Sequence, residues 1–262
     1  MFIVGELING MYKNVRQALE TKDKKIIQDI AKKQTEAGAS ALDVNCGPAS
    51  RNPKDDIKWM VEAIQEVVDT PLCMDSTKTD VIEAGLSTAK NKTIINSTGA
   101  DKEKLDILVP MALKYKSSLI GLAMNKKGVP QDKFQRLELA ATIVTYCQEN
   151  NFPVSNLYLD PIVLPVNVAQ AQAQEVLGAL HEFKLLSDPA PKTIVGLSNV
   201  SQGAPDRSLI NRTFLVMAQC AGLDGAILDP LDKNLMDALI TAELILNKQI
   251  YCDSFLDAYK KK

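Results

Sequence analysis

The strongest constraint on this chain is a repeated pattern rather than a repeated motif. Short runs rich in β-branched and apolar residues alternate, along its whole length, with longer segments whose apolar residues recur every three or four positions. The strand-like runs are FIVGELI (2–8), ALDVNCG (41–47), PLCMDST (71–77), TIINST (93–98), SLIGLAM (118–124), LYLDPIV (157–163), TIVGLSNV (193–200) and GAILDP (225–230). Helical patterns such as DDIKWMVEAIQEVV, TDVIEAGLSTAK, DKFQRLELAATIVTYCQEN and RSLINRTFLVMAQCAG separate them. Eight strands, each followed by a helix, within 262 residues predict an α/β fold of the (β/α)8 TIM barrel type. An open doubly wound sheet also alternates, but more often with roughly five to seven strands. No Gly- or Pro-rich linker divides the chain, so residues 1–262 read as one domain.

Composition narrows the function classes. Thirty basic and 32 acidic residues nearly cancel, and no basic run points to nucleic acid. MFIVGELING enters a strand pattern directly, without the features of a signal peptide. No apolar run approaches the roughly 18 residues of a membrane span. Cys46, Cys73, Cys147, Cys220 and Cys252 are scattered and form no CxxC, which predicts reduced thiols in a cytoplasmic protein rather than a metal site or a disulfide framework. The only histidine, His181, lies in the helical pattern AQEVLGALHEFKLL and reads as a helix-surface or packing residue. Any mechanism must therefore manage without histidine.

The C-terminal ends of the strand runs are unusually polar. They offer Glu6 and Asn9, Asp43 and Asn45, Asp75 through Lys78, Asn96 through Thr98, Asn125, Asp160, Ser198 with Asn199, and Asp229. In a barrel all of these open onto one face, where the strand-to-helix loops build the active site. Helix capping accounts for some of them, and Asp229 reads as a cap on the last helix. It explains poorly why Asp43, Asp75 and Asp160 stand inside strand runs. The set is a collection of carboxylates, amides and hydroxyls with few cations. Carboxylates without protein cations need a metal or ligand N–H groups. The amino-pyrimidinone edge of a pterin presents an N–H beside an NH₂, which matches a carboxylate bidentately.

GELING (5–10), LDVNCGP (42–48), MDST (74–77), INST (95–98), LDP (159–161) and GLSNVS (196–201) occur in the order found in the pterin-binding methyltransferase family. The chain resembles, over essentially its whole length, the branch that serves a corrinoid/iron–sulfur protein, and next the folate module of cobalamin-dependent methionine synthase. The resemblance implies pterin contacts at Asp75, Asn96 and Asp160, with Asn199 beside the reacting nitrogen. Gly196 and Ser198 would border the ring, and Gln202 and Arg207 would supply further contacts. Asp43 and Asn45 would support or line the pocket. Two departures stand out: Leu7 follows the first Glu where family members often carry Arg, and Lys78 follows MDST where a small polar residue is expected. Lys78 would reach the folate's glutamate tail or remain solvated.

The implied reaction moves the N5 methyl group of 5-methyltetrahydrofolate to cobalt(I) of a corrinoid. Cobalt(I) is itself a strong nucleophile, so no Cys, Ser or Lys nucleophile is required. N5 must gain a proton or a strong hydrogen bond by the transition state. Asn199 would orient and polarise it, with the proton drawn from solvent. Asp75 and Asp160 are expected to stay ionised and hold the ring. No permanently bound cofactor and no metal site are expected. A corrinoid is too large for a barrel mouth already holding a folate, so it would arrive on the partner corrinoid/iron–sulfur protein. The resemblance also implies a homodimer, and the apolar stretch 238–259 exceeds what one barrel helix needs. The rival readings are a dihydropteroate synthase-like pterin enzyme, a Mg²⁺-dependent or Schiff-base barrel lyase using Glu6, Asp43, Asp75, Asp160 or Lys78, and a non-catalytic folate-binding module.

Overall fold

A computed structural model describes residues 1–252. Eight parallel strands, each hydrogen-bonded to the next in sequence and the last to the first, close a barrel. They are β1 (Phe2–Asn9), β2 (Ala41–Asn45), β3 (Leu72–Asp75), β4 (Thr93–Thr98), β5 (Ser118–Leu122), β6 (Leu157–Asp160), β7 (Lys192–Gly196) and β8 (Gly225–Leu228). Helices α1 (Lys13–Thr21) and α2 (Lys24–Glu36) follow β1, and α3 (Pro53–Gln65) follows β2. Next come α4 (Thr79–Thr88), α5 (Lys102–Tyr115) and α6 (Lys133–Glu149), then α7 (Val166–Ala169) and α8 (Gln172–Phe183) after β6. The circuit ends with α9 (Arg207–Cys220) and α10 (Lys233–Ile245). The predicted barrel is therefore the observed one. Of the apolar stretch 238–259, residues from 253 onward lie outside the described residues.

Strands in such a barrel have two buried faces, which is why their sequences are nearly all apolar. Outward residues such as Leu42, Leu72, Ile95 and Leu119 pack beneath the helices of the first six strands, while Val195, Ala226 and Leu228 do so beneath α8–α10. His181 is exposed on α8, as its helical context predicts.

The strands stop earlier than their sequence runs. Run 71–77 ends as a strand at Asp75, 157–163 at Asp160, and 193–200 at Gly196, after which Leu197–Ser201 forms a 3₁₀ turn. At Asp160 the cause is local. At or just beyond five strand ends a polar side chain accepts the backbone N–H two residues on: Asn9 from Met11, Asn45 from Gly47, Asn125 from Lys127, Asp160 from Ile162 and Asp229 from Leu231. These turns compete with continuation of the ladder and release the chain into the loops. Two of the loops touch closely: Gly10 lies against the Cys46 backbone, leaving no room for a Cβ.

Candidate active site

The site follows from the two-residue period of a strand. Val4, Ala41, Cys73, Ile94, Ile120, Tyr158 and Ile194 form an apolar plug inside the barrel. Two positions further along the same strands stand Glu6, Asp43, Asp75, Asn96, Leu122, Asp160 and Gly196. Alternation brings these to the same inward side, one layer nearer the loops. A mostly polar layer thus lies on an apolar floor. Asp43, Asp75 and Asn96 are not helix caps; the side chains that cap α2, α6 and α10 are Asp23, Asp132 and Asp232.

On the β2–β4 side the polar groups are knitted together. Asp75 pairs in register with Asn96, and Asp43 with Cys73. Asn45 Nδ2 donates to Asp75 Oδ2 at 2.7 Å, and Asn96 Nδ2 donates to Asp43 Oδ1 at 3.2 Å. Asp43 is only 3% exposed, and burial, reinforced by the charge on Asp75, holds its carboxyl well above the usual range. Burial thus favours the protonated form of Asp43, which can hydrogen-bond Asp75. Burial also raises Asp75, against the bonds from Asn45 and Asp43 that favour its charged form. Asp43 lies beneath its neighbours as their support.

On the β6–β7 side Asp160 stands without a second carboxylate. It is buried, its Oδ1 accepts the Ile162 N–H at 2.7 Å, and the Gly196 N–H also serves it. Ile162 adopts φ +65°, which a β-branched residue rarely accepts. Asp160 departs from the expectation of a fully ionised group: burial, outweighing both N–H donors, pushes it up to about 7 in the ligand-free chain. Among the described residues it makes no ion pair. Asn199, in the turn after β7, is exposed at the rim, and its Nδ2 lies where a Cβ on Gly196 would come within 3.0 Å. Glycine there lets the amide fold over the strand end. Arg207 braces this turn from α9, donating Nε to Ser201 Oγ and Nη2 to the Ser198 carbonyl, both at 3.1 Å. Gln202 is exposed at the end of the same turn.

Beside this turn Ser198 Oγ donates to Glu6 Oε2 at 2.9 Å. A cleft of about 240 Å³ there is lined by Glu6, Tyr12, Ser198, Arg207 and Asp229, among others. Asp229 is not the cap of the last helix; Asp232 fills that role, accepting the Leu235 N–H. Burial, and secondarily the charge of Asp229, raises Glu6. Lys78 is exposed at the start of α4 and its side chain caps nothing. Leu7, where family members often carry Arg, gives its N–H to Gln34 Oε1.

Sequence reasoning overlooked Arg136, which lies beneath the Asp160 loop and is fully buried. A signal was available. Arg136 begins the buried stripe of α6 that continues through Ala140, Ile143, Val144 and Cys147, so a cation stands where helical spacing calls for an apolar residue.

The sequence pattern of the pterin binding enzymes matches residues 9–229. The chain belongs to the pterin-binding enzyme family. A family relative, the methylcorrinoid:tetrahydrofolate methyltransferase of Eubacterium limosum, is 29% identical over 100% of this chain and 97% of its own length. The methionine synthases of Mycobacterium leprae and Mycobacterium tuberculosis are 27% and 28% identical over 87% of the chain, which spans 20% of each. Among solved structures, a dihydropteroate synthase from Coxiella burnetii in complex with pteroic acid superposes with a TM-score of 0.70 at 16% identity, covering 95% of this chain and 94% of that one. The corresponding Yersinia pestis enzyme gives 0.69 at 18% identity over 94% of each chain. At such identities the two structures share the pterin-binding family's barrel, and the likeness extends to the fold alone.

The lyase reading would gather Glu6, Asp43, Asp75 and Asp160 around one ion. Asp43 and Asp75 adjoin each other, whereas Glu6 is bonded to Ser198. Among the described residues no group of three or more His, Cys, Asp or Glu side chains is arranged to hold a metal. No helix among them is long and apolar enough to cross a membrane.

Proposed function

We propose that this enzyme transfers a methyl group between N5 of a tetrahydrofolate and the cobalt of a corrinoid. The observation that carries the reading is the layer of Asp75, Asn96 and Asp160, whose carboxylates form no ion pair among the described residues. The pterin's N–H and NH₂ groups are the complement of such acceptors, and on binding they would favour the charged forms of Asp75 and Asp160. The Eubacterium limosum relative's name points to the same pair of reactants, written from corrinoid to folate. The sequence-based expectation runs the other way. Both directions cross one transition state, so the same groups serve either, and the supply of methylated donor sets the net direction.

Asn199 is the group we assign to N5. Its exposed amide projects from the rim over Gly196, where it can donate to a ring nitrogen held by the layer below. An amide does not surrender its proton at ordinary pH, so it polarises N5 while water supplies the proton. Gly196 and Ser198 border the ring, Gln202 adds an exposed amide, and Arg207 holds the turn. The cobalt is substrate, carried on a corrinoid/iron–sulfur protein that docks on the strand-end face. Met11, Val168 and Leu231, exposed in or beside those loops, offer that partner apolar contacts. The homodimer is assigned to a groove of about 750 Å³ between α8 and α9, lined by Leu177, Ile210 and Met217. A reducing, cytoplasmic setting fits the scattered thiols and the cobalt(I) chemistry.

The test is anaerobic. Mixed with 5-methyltetrahydrofolate and cob(I)alamin, the protein should produce the methylcobalt spectrum, and the reverse mixture should consume it. Absence of transfer in both directions, with free cobalamin and with a corrinoid/iron–sulfur protein, removes the assignment. Pterin binding without transfer would leave a folate-binding module.

A further inference from the structure

Arg136 is the most deeply buried cation in the described structure, with 0% of its surface exposed. An arginine side chain stays protonated throughout the working pH range of a protein, so its charge is buried with it. Its hydrogen bonds go to neutral oxygens: Nε donates to the Pro161 carbonyl and Nη2 to Gln172 Oε1, both at 2.8 Å. Nη1 is buried without a partner. The carboxylates that act on the guanidinium are Glu175, Asp132 and Asp160. Each of them also accepts a backbone N–H: Glu175 from Lys133 at 2.8 Å, Asp132 from Gln135 at 2.9 Å and Asp160 from Ile162 at 2.7 Å. Asp160 is set apart by its place in the barrel mouth, one residue before the carbonyl that Arg136 holds. Among the described residues the groups that face Asp160 are the Ile162 and Gly196 N–H donors and, as a charge, Arg136.

We propose that Arg136 is a positioning residue for Asp160: its grip on the Pro161 carbonyl sets the loop that aims this carboxyl into the mouth. The inference rests on the reading of Asp160 as the pterin contact. Holding the Pro161 carbonyl would not by itself require a charge, since a neutral amide donor such as glutamine's could bond it. What glutamine lacks is the field on Asp160. The strained backbone of Ile162 is consistent with a loop held in place from below.

The experiment separates charge from hydrogen bonding. Arg136→Gln removes the charge and keeps donors, whereas Arg136→Lys keeps a cation. In the ligand-free protein the Asp160 carboxyl is followed by ¹³C NMR, its signal assigned by its loss in Asp160→Asn. Its titration should move to higher pH in Arg136→Gln and less so in Arg136→Lys. Affinity for 5-methyltetrahydrofolate, measured by calorimetry, should fall about tenfold at pH 7 in Arg136→Gln and recover to within about twofold at pH 9. An unmoved Asp160 signal, or a loss of affinity equal at every pH, overturns the proposal. If the parent protein binds no folate, the functional reading fails while the NMR comparison still decides the role of Arg136. If Arg136→Gln does not fold, Gln172→Leu replaces it: freeing one arm of the guanidinium should weaken binding about threefold with an unmoved pH profile, about 0.6 kcal/mol at 298 K. Unchanged affinity there counts against the grip on the loop and overturns the proposal.

Discussion

The two sides of the rim solve one problem in different ways. Around β2–β4 two carboxylates lie together, Asp43 buried and Asp75 half-buried, and both are raised, Asp43 the more strongly. Around β6–β7 a single carboxylate, Asp160, is served by two backbone N–H groups and, through a loop, by a buried guanidinium. Among the described residues neither side pairs its acceptor with a cation. The comparison shows that burial raises acids in one layer against different local sets of donors. On the proposed function, acceptors left short of donors by the protein would be completed by N–H groups of the ligand.

The largest effect that would sharpen this contrast is expected at Asn199. If the β6–β7 side acts on the reacting nitrogen and the β2–β4 side only holds the ring, Asn199→Ala should slow single-turnover methyl transfer by ~10²–10³, about 2.7–4 kcal/mol. Stopped-flow spectra of the methylcobalt product give the rate directly, and an unchanged rate would remove Asn199 from the chemistry.

Asp160→Asn should act in opposite senses on stability and on binding. Because the folded-state value lies near 7, above the 3.8 of an unperturbed Asp, the native state binds more protons than the unfolded chain between these limits. Stability contributed at this position therefore falls as pH rises from about 4 to about 7, by at most roughly 4 kcal/mol. Asp160→Asn should abolish this loss, so urea melts should show the variant more stable than the parent at pH 8 and similar to it at pH 4. Its affinity for the folate should fall roughly 10–100-fold, as a charge-assisted hydrogen bond is lost. A variant that binds as tightly as the parent would sever Asp160 from the ring.

The proton assignment on the other side is tested by a paired comparison. Asp75→Asn should weaken binding by a similar 10–100-fold, about 1.5–3 kcal/mol. Asp43→Asn, which replaces a neutral acid with a neutral amide able to donate to Asp75 and accept from Asn96, should change it by less than ~1 kcal/mol. Equal losses in the two variants would mean that the proton is not held on Asp43. The smallest effect is expected for Lys78→Ala, whose exposed side chain should matter to stability by less than ~0.5 kcal/mol. Weaker binding of glutamylated folates, with binding of the bare pterin unchanged, would assign Lys78 to the tail.

Much of this was legible from residues alone. The alternation of patterns led to the barrel, and the polar strand ends led to the face that carries the site. Asp43, Asp75 and Asp160 stood out because acids inside otherwise apolar strand runs conflict with burial unless something completes them, whereas Asn96 came from the family resemblance. The errors have physical causes. Strand ends were extended because side-chain bonds to the backbone, invisible to a hydrophobic pattern, turn the chain at Asn45, Asp160 and Asp229. Asp229 was read as a cap because Asp232, three residues on, satisfies the same local rule and only geometry chooses between them. Arg136 was passed over because its charge was judged by residue type, although its helical position marked it as buried.

The sequence by itself determined the architecture and the membership of the polar layer, since both follow from periods of two and 3.6 residues that act along the chain. Only the tertiary structure decided which acid burial raises most, which loop Arg136 holds and how Asn199 lies over Gly196. Those outcomes depend on distances and on exclusion of water between residues far apart in sequence, and neither exists until the barrel has closed.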